Sequence, residues 1–407
     1  MKWHRRYGLI FLISLLLPLP LLWINWLFLE GHGEWKPLEH IVQEQLTSEH
    51  TILYGTAIHD DEFHYKMTLA EKARPEIVVI GSSRAMMFEK QYFKSKFINM
   101  GRAMSSVQSG FPIAQHLLSL AHPPKVVIFS VDFWWFNARH RLPQPPKGFP
   151  PQEPRLTLSK LLTPLTWLYQ KKIHGREWLL MDRQPLETSA HVGVRAIRQG
   201  NGFRPDGSGL YTALAVGEIP ASDSQFSQTI KDISLRKHGF FQTSSEPDPI
   251  YLQQFAALVQ KLETAGVQTI VALAPLPPRV LAELAKHGDQ YGYLARLAPE
   301  MAARNIRVHD YLTGKTLAGD CEYLDGFHGG SVIYARLMRD LLQQESAILS
   351  PHVNATVLDS LIEKFAGRTQ WDEEFLKGRP EIDFLKLGCV KPNVPQGAQN
   401  ANSKISL

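Results

Sequence analysis

Cysteine is scarce, with 2 in 407 residues. That excludes a disulfide scaffold and a four-cysteine zinc site. An excess of one charge is also missing. The 44 basic and 39 acidic residues leave a net charge of +5 without a long basic run, which argues against a dedicated nucleic-acid binder. No internal repeat is present. Apolar residues make up 44% and charged residues 20%, so the chain can build a sizeable core. Only one long apolar run occurs, which excludes a multispan transporter. There is no G-x-S-x-G elbow, no P-loop and no G-x-G-x-x-G after a strand. A conventional α/β-hydrolase is therefore set aside, and no cofactor is indicated.

The N-terminus carries the one long run. Lys2, His4, Arg5 and Arg6 precede uncharged residues from Tyr7 to Leu29. A bilayer span needs about 20 apolar residues. The far end, Trp23-Ile24-Asn25-Trp26-Leu27-Phe28-Leu29, is bulky and lacks the small residues of a signal-peptide cleavage site. An uncleaved signal anchor is expected, with a cleaved signal peptide as the competing reading. The basic flank stays cytoplasmic, so the sequence predicts a single-pass inner-membrane protein with its bulk periplasmic or extracellular.

The expected domains are 1–29, cytoplasmic flank and anchor; 30–74, juxtamembrane stalk; 75–349, an α/β domain with an insertion at 137–249; and 350–407, a helical extension with a polar tail. Strands are predicted at Glu76–Ile80, Lys96–Asn99, Lys125–Val131, Gln268–Ala274 and Ile306–Val308. Leu252, Phe255, Val259 and Leu262 recur at helical spacing and stop at Gly266. Such alternation predicts a parallel sheet with helices on both faces. The insertion breaks it. Its residues 143–154 are proline-rich, and a helix is expected around 158–171 despite Pro164. It is placed at the C-terminal edge of the sheet, where ligand sites form, or is a plain surface insertion.

Gly81-Ser82-Ser83-Arg84 follows the first strong strand. A serine nucleophile needs a base. The distant Asp325-Gly326-Phe327-His328 supplies one: the carboxylate orients the imidazole, which takes the serine proton. Each piece has a structural alternative. A serine here caps the following helix, and the histidine is a loop residue.

The combination and order resemble the SGNH/GDSL hydrolase superfamily. Gly81-Ser82-Ser83 matches its Gly-Asp-Ser block, with Ser83 in the nucleophile's place and Ser82 in the usual Asp place. Asn99-Met100-Gly101 matches the block whose glycine N–H, with that of the nucleophile, binds the oxyanion. Asp325 and His328 match the last block. The remaining block departs: Ser130-Val131-Asp132-Phe133 puts Asp132 where the family has an Asn donor. An ionised carboxylate cannot donate, and one lost oxyanion donor costs roughly 2.7–4 kcal/mol. Either another donor substitutes, or the reaction is slow, or Asp132 has a different job. Arg84 and Arg102 are the nearby candidates for a compensating charge.

The resemblance implies a three-layer, flavodoxin-like α/β/α parallel sheet. The membrane-anchored layout is similar to SGNH proteins of cell-surface polysaccharide loci, of alginate O-acetylation and of teichoic-acid D-alanylation. It implies an O-acyltransferase acting on a polysaccharide or glycolipid beside a membrane-bound O-acyltransferase partner. A carbohydrate acetylesterase and a non-catalytic polysaccharide-binding scaffold are the alternatives. The implied site is Ser83, His328 and Asp325 as triad, with Gly101, Asp132, Arg84 and Asn99 at the oxyanion or substrate.

Other features have plainer readings. Phe133-Trp134-Trp135-Phe136 is a core plug or a sugar-stacking platform. Arg204, Asp206 and Tyr211 form a turn or line the site. His140 and Lys147 are expected to face solvent. His59-Asp60-Asp61-Glu62 and His64 read as a solvated acidic loop, since the spacing fits no recognised metal site. Cys321 and Cys389 can pair in an oxidising compartment.

Overall fold

The computed structural model describes residues 18–58, 62–140, 157–180, 191–235, 239–371 and 379–392. Their strands are β1 (Leu53–Tyr54), β2 (Ile77–Gly81), β3 (Phe97–Gly101), β4 (Val126–Val131), β5 (His191–Val192), β6 (Asn201–Phe203), β7 (Gly209–Tyr211), β8 (Gln268–Leu273) and β9 (Val308–Asp310). The chain divides into two units, Met1–Asp61 with Phe149–Pro205, and Glu62–Gly148 with Asp206–Leu407.

The second unit is α/β. Its sheet runs β3-β2-β4-β8-β9, and every pair is parallel. Ranked among themselves these strands follow the order 2-1-3-4-5, that of flavodoxin-like sheets. The order reverses between β2 and β4, so ligands are expected above the C-terminal end of β2. Ile77 to Ile80 and Val126 to Phe129 are at most 1% exposed. Both faces of these strands are covered, which is why they read as unbroken apolar runs rather than alternating ones.

The last predicted strand moves from 306–308 to Val308–Asp310. The Ile306 N–H still donates to Met301 O, closing the helix Tyr293–Ala302. Pairing starts only at Val271 opposite Val308.

Gly81 ends β2 opposite Gly101 and Ser130. A Cβ there would sit 2.7 Å from Ala85 Cβ and 2.8 Å from Ser130 O. Glycine thus lets the chain turn straight from strand into the Ser83 loop. The helix Pro249–Thr264 is capped by Asp248 and stops before Gly266, whose φ is +84°.

The first unit brings together residues of the expected stalk and the part 149–205 of the expected insertion. The helix Leu38–Thr47 buries Leu38, Ile41 and Val42, and Gln45 Nε2 donates to Ile52 O and Phe203 O. β1 pairs parallel with β5 and antiparallel with β6. Buried Glu34 accepts the N–H groups of Ala57, Ile58 and Val194. A ten-residue helix and two-residue strands are marginal alone, so the two chain segments fold only on each other.

The described part of the apolar run is the 14-residue helix Pro18–Gly31, about 21 Å long. Among the described residues no helix is long and apolar enough to cross a membrane. The start of the expected anchor lies outside them. Its far end joins the first unit: Phe28 and Leu29 form a core with Ile173 and Val194.

At the C-terminus the expected helix is Ala355–Phe365. Cys321 and Cys389 are disulfide-bonded across 68 residues. Lys391 Nζ donates to Cys321 O and Gly367 O and pairs with Glu381 at 2.7 Å. The polar tail beyond Pro392 lies outside the described residues.

Candidate active site

The two serines after β2 divide their roles. Ser82 Oγ accepts from the Arg84 N–H and caps the 3-10 turn Ser83–Met87. Ser83 is released from capping. Its Oγ lies 2.9 Å from His328 Nε2, across 245 residues of chain. The capping alternative therefore belongs to Ser82.

His328 sits in a tight loop before the helix Ser331–Gln344. Leu324 N donates to His328 O, and Tyr323 bridges Gly329. Asp325 Oδ1 accepts from the N–H groups of Phe327 (2.8 Å) and His328 (2.7 Å). Its Oδ2 lies 2.8 Å from His328 Nδ1. Ionised Asp325 fixes the proton on Nδ1, which leaves Nε2 to accept from Ser83. Burial raises the Asp325 pKa, but the His328 charge and bonds and the two N–H donors outweigh it, and the net shift is downward.

A buried ion pair adjoins these residues. Arg84 Nη1 donates to Asp132 Oδ1 at 3.1 Å, and the side chains are 1% and 0% exposed. Arg84 Nε donates to Phe327 O at 3.0 Å, and Nη2 to Pro275 O. Its guanidinium lies 4.9 Å from the Phe327 ring centre and 5.7 Å from that of Trp134. Burial pushes the Asp132 carboxyl up to about 6, against the pull of Arg84, Ser82 and His328. Arg84 therefore joins the Ser83 turn, the end of β4 and the His328 loop.

The sequence places these two residues, with Asn99 and Gly101, at the oxyanion or substrate. In the structure all four make internal bonds. Asn99 is fully buried; its Nδ2 donates to Ala85 O and Phe88 O, and its Oδ1 accepts the Gly101 N–H at 2.6 Å. Buried polar groups must find partners, and here they brace the segment after Ser83. Arg102 does not compensate Asp132. It pairs with Glu62 at 2.6 Å, and its N–H donates to Ser82 O.

Other features resolve in turn. Phe133, Trp134, Trp135 and Phe136 are at most 3% exposed, as a core plug should be. The aromatic residue that reaches solvent beside them is Phe240, 47% exposed and stacked on Phe327 at 5.0 Å. Asp206 accepts from Lys90 N, Ser208 N and Ser208 Oγ, forming a turn. The Tyr211 N–H donates to Gln370 Oε1, and Arg204 belongs to the first unit. His140 is half-buried, with Nδ1 3.1 Å from Gly239 O, rather than fully solvent-facing. Lys147 and His59 to Asp61 lie outside the described residues. Among the described residues no three His, Cys, Asp or Glu side chains are grouped to hold a metal.

Three supports escaped the sequence reading. Asp223 Oδ2 accepts the Gly326 N–H at 2.9 Å. Glu89 accepts from Ser331 Oγ at 2.6 Å. Tyr92 Oη donates to Ser331 O at 2.9 Å. They hold the histidine loop and the start of the next helix from distant parts of the chain, and no local motif marks them. No family model, curated protein or solved structure matches the chain.

Proposed function

We propose that this protein is a membrane-anchored, extracytoplasmic serine acyltransferase of SGNH type. It transfers an acetyl or other small acyl group to a cell-surface polysaccharide or glycolipid. One observation carries this reading: Ser83 Oγ, His328 Nε2, His328 Nδ1 and Asp325 form an unbroken hydrogen-bonded chain. Ser83 Oγ attacks the carbonyl of an acyl ester or thioester donor while His328 Nε2 takes its proton. The donor's alkoxide or thiolate leaves with that proton, and Ser83 holds the acyl ester. An acceptor hydroxyl then gives its proton to His328 and attacks the ester, and Ser83 Oγ leaves and regains the proton. The Ser83 N–H, first in its 3-10 turn, is the donor we assign to the oxyanion.

The layout of an N-terminal apolar run before this unit supports a single-pass anchor in the inner membrane. The Cys321–Cys389 bond fits an oxidising compartment such as the periplasm. The acceptor and a membrane-bound O-acyltransferase partner rest on the resemblance of the sequence blocks.

The internal bonding of Asn99, Gly101, Arg84 and Asp132 favours a second reading, a non-catalytic polysaccharide-binding scaffold. Intact-mass measurement after incubation with an activated acetyl ester separates them. The full chain is required, because Phe28 and Leu29 are core residues. An acetyl adduct that is absent in Ser83→Ala supports catalysis, and acetyl transfer to an added polysaccharide distinguishes a transferase from an acetylesterase. No adduct on a folded parent supports the scaffold.

A further inference from the structure

The first unit carries an apolar helix face that its own core does not use. The helix Leu158–Tyr169 packs Leu161, Trp167 and Leu168 against the core of Phe28, Leu29, Ile173 and Val194. Leu158, Leu162, Leu165 and Tyr169 recur at i, i+4, i+7 and i+11, a single stripe of the helix. That stripe is a different one. Leu158 is 62% and Tyr169 89% exposed, and Leu162 and Leu165 are half-buried. The helix contacts Pro18–Gly31, which leaves Leu19 52% and Trp23 61% exposed.

Charge identifies the occupant. From Thr157 to Arg176 the chain holds Lys160, Lys171, Lys172 and Arg176 and no acid. Lys171, Lys172 and Arg176 are exposed. Glu177, the next acid, is paired with Arg198. Three exposed cations follow directly on the Tyr169 end of this apolar stripe, a pairing that a protein partner of average composition would not select for. An anionic lipid surface does, because it takes apolar side chains about 5–10 Å deep and cations at the headgroups. Sequence continuity points the same way: the helix Pro18–Gly31 continues the apolar run that starts at Tyr7.

We propose that the helix Leu158–Tyr169 lies in the headgroup region of an anionic phospholipid membrane, with Leu158, Leu162, Leu165 and Tyr169 toward the acyl chains. This gives part of the insertion a task, to hold the first unit flat on the membrane beside the anchor. It does not depend on the chemistry of Ser83.

Nitroxide scanning of the full chain in phosphatidylcholine vesicles containing phosphatidylglycerol tests it. Labels at Leu158→Cys, Leu162→Cys, Leu165→Cys and Tyr169→Cys should collide more with oxygen than with an aqueous nickel chelate. Ser159→Cys, Thr163→Cys and Thr166→Cys should show the reverse. On the unmodified chain, amide exchange across 158–169 should slow when phosphatidylglycerol is added, and Lys171→Gln/Lys172→Gln/Arg176→Gln should abolish that slowing. Equal nickel access along the helix overturns the proposal. So does a stripe shielded from both reagents, which would mean a second copy or another segment covers it. Resistance to alkaline carbonate extraction reports the anchor separately, so failure of the helix and failure of the anchor are distinguishable.

Discussion

Two carboxylates with basic partners, Asp325 with His328 and Asp132 with Arg84, meet at the same sheet edge and behave in opposite ways. Asp325 and His328 keep 31% and 25% of their side chains exposed. Asp132 and Arg84 keep 0% and 1%. The Asp325 pKa is lowered, while that of Asp132 rises to about 6. Both pay for burial, but Asp325 also collects two backbone N–H bonds. Pairing alone therefore does not set a role. A pair near solvent, with one ring nitrogen directed at a hydroxyl, can move a proton. A dry pair with every guanidinium nitrogen engaged can only hold parts in place.

The sharpest break comes from the exposed pair. Ser83→Ala or His328→Ala should lower acyl turnover on the order of 10⁶-fold, and Asp325→Asn about 10⁴-fold, with folding unchanged. Ester hydrolysis assays beside circular dichroism check this, and equal losses in Ser82→Ala would collapse the distinction.

The buried pair should answer in stability. Arg84→Met strands the Asp132 carboxylate and should cost about 3–5 kcal/mol in urea unfolding. Arg84→Met/Asp132→Leu should recover most of that loss, since an apolar pair of similar volume replaces a buried ion pair at little cost. A double variant no better than the single would show that the pair contributes more than a clamp.

A third change asks how locally the histidine loop is supported. The disulfide joins Cys321, just before Asp325, to Cys389 across 68 residues. In the chain-entropy account, Cys321→Ser/Cys389→Ser should cost about 4 kcal/mol. Because Asp223 and Arg84 also hold the loop, and Tyr92 holds the start of the next helix, serine reactivity below the melting transition should persist.

The smallest effect is a difference of sign with pH. Asp325 contributes stability that is present above the unfolded value of 3.8 and lost as pH falls through its lower folded value. Asp132 contributes stability that is full below 3.8 and lost as pH rises through about 6. Across that window the stability of the parent relative to Asp132→Asn should decline with rising pH. A constant gap in denaturation curves would contradict the raised pKa.

Much of the frame was legible because buried parallel strands write themselves as β-branched runs ended by glycine. Ser83, Asp325 and His328 were legible because their blocks are local. The partnership of Arg84 with Asp132 was not, since 48 residues separate them and each looks polar and solvated in sequence. Asn99 reads as a site residue but serves as a brace, because only the structure shows its amide closing on Ala85 and Phe88. The first unit was hidden for a related reason. Its parts come from segments nearly a hundred residues apart, and neither carries a periodic signal long enough to mark a domain.

Covalent labelling with a fluorophosphonate, followed by peptide mapping, reports directly whether Ser83 is activated by His328. Label is expected on Ser83 and none on Ser82. Loss of label is expected in His328→Ala, and retention in folded Arg84→Met/Asp132→Leu. Label on Ser82, or label on Ser83 that survives His328→Ala, would contradict these expectations.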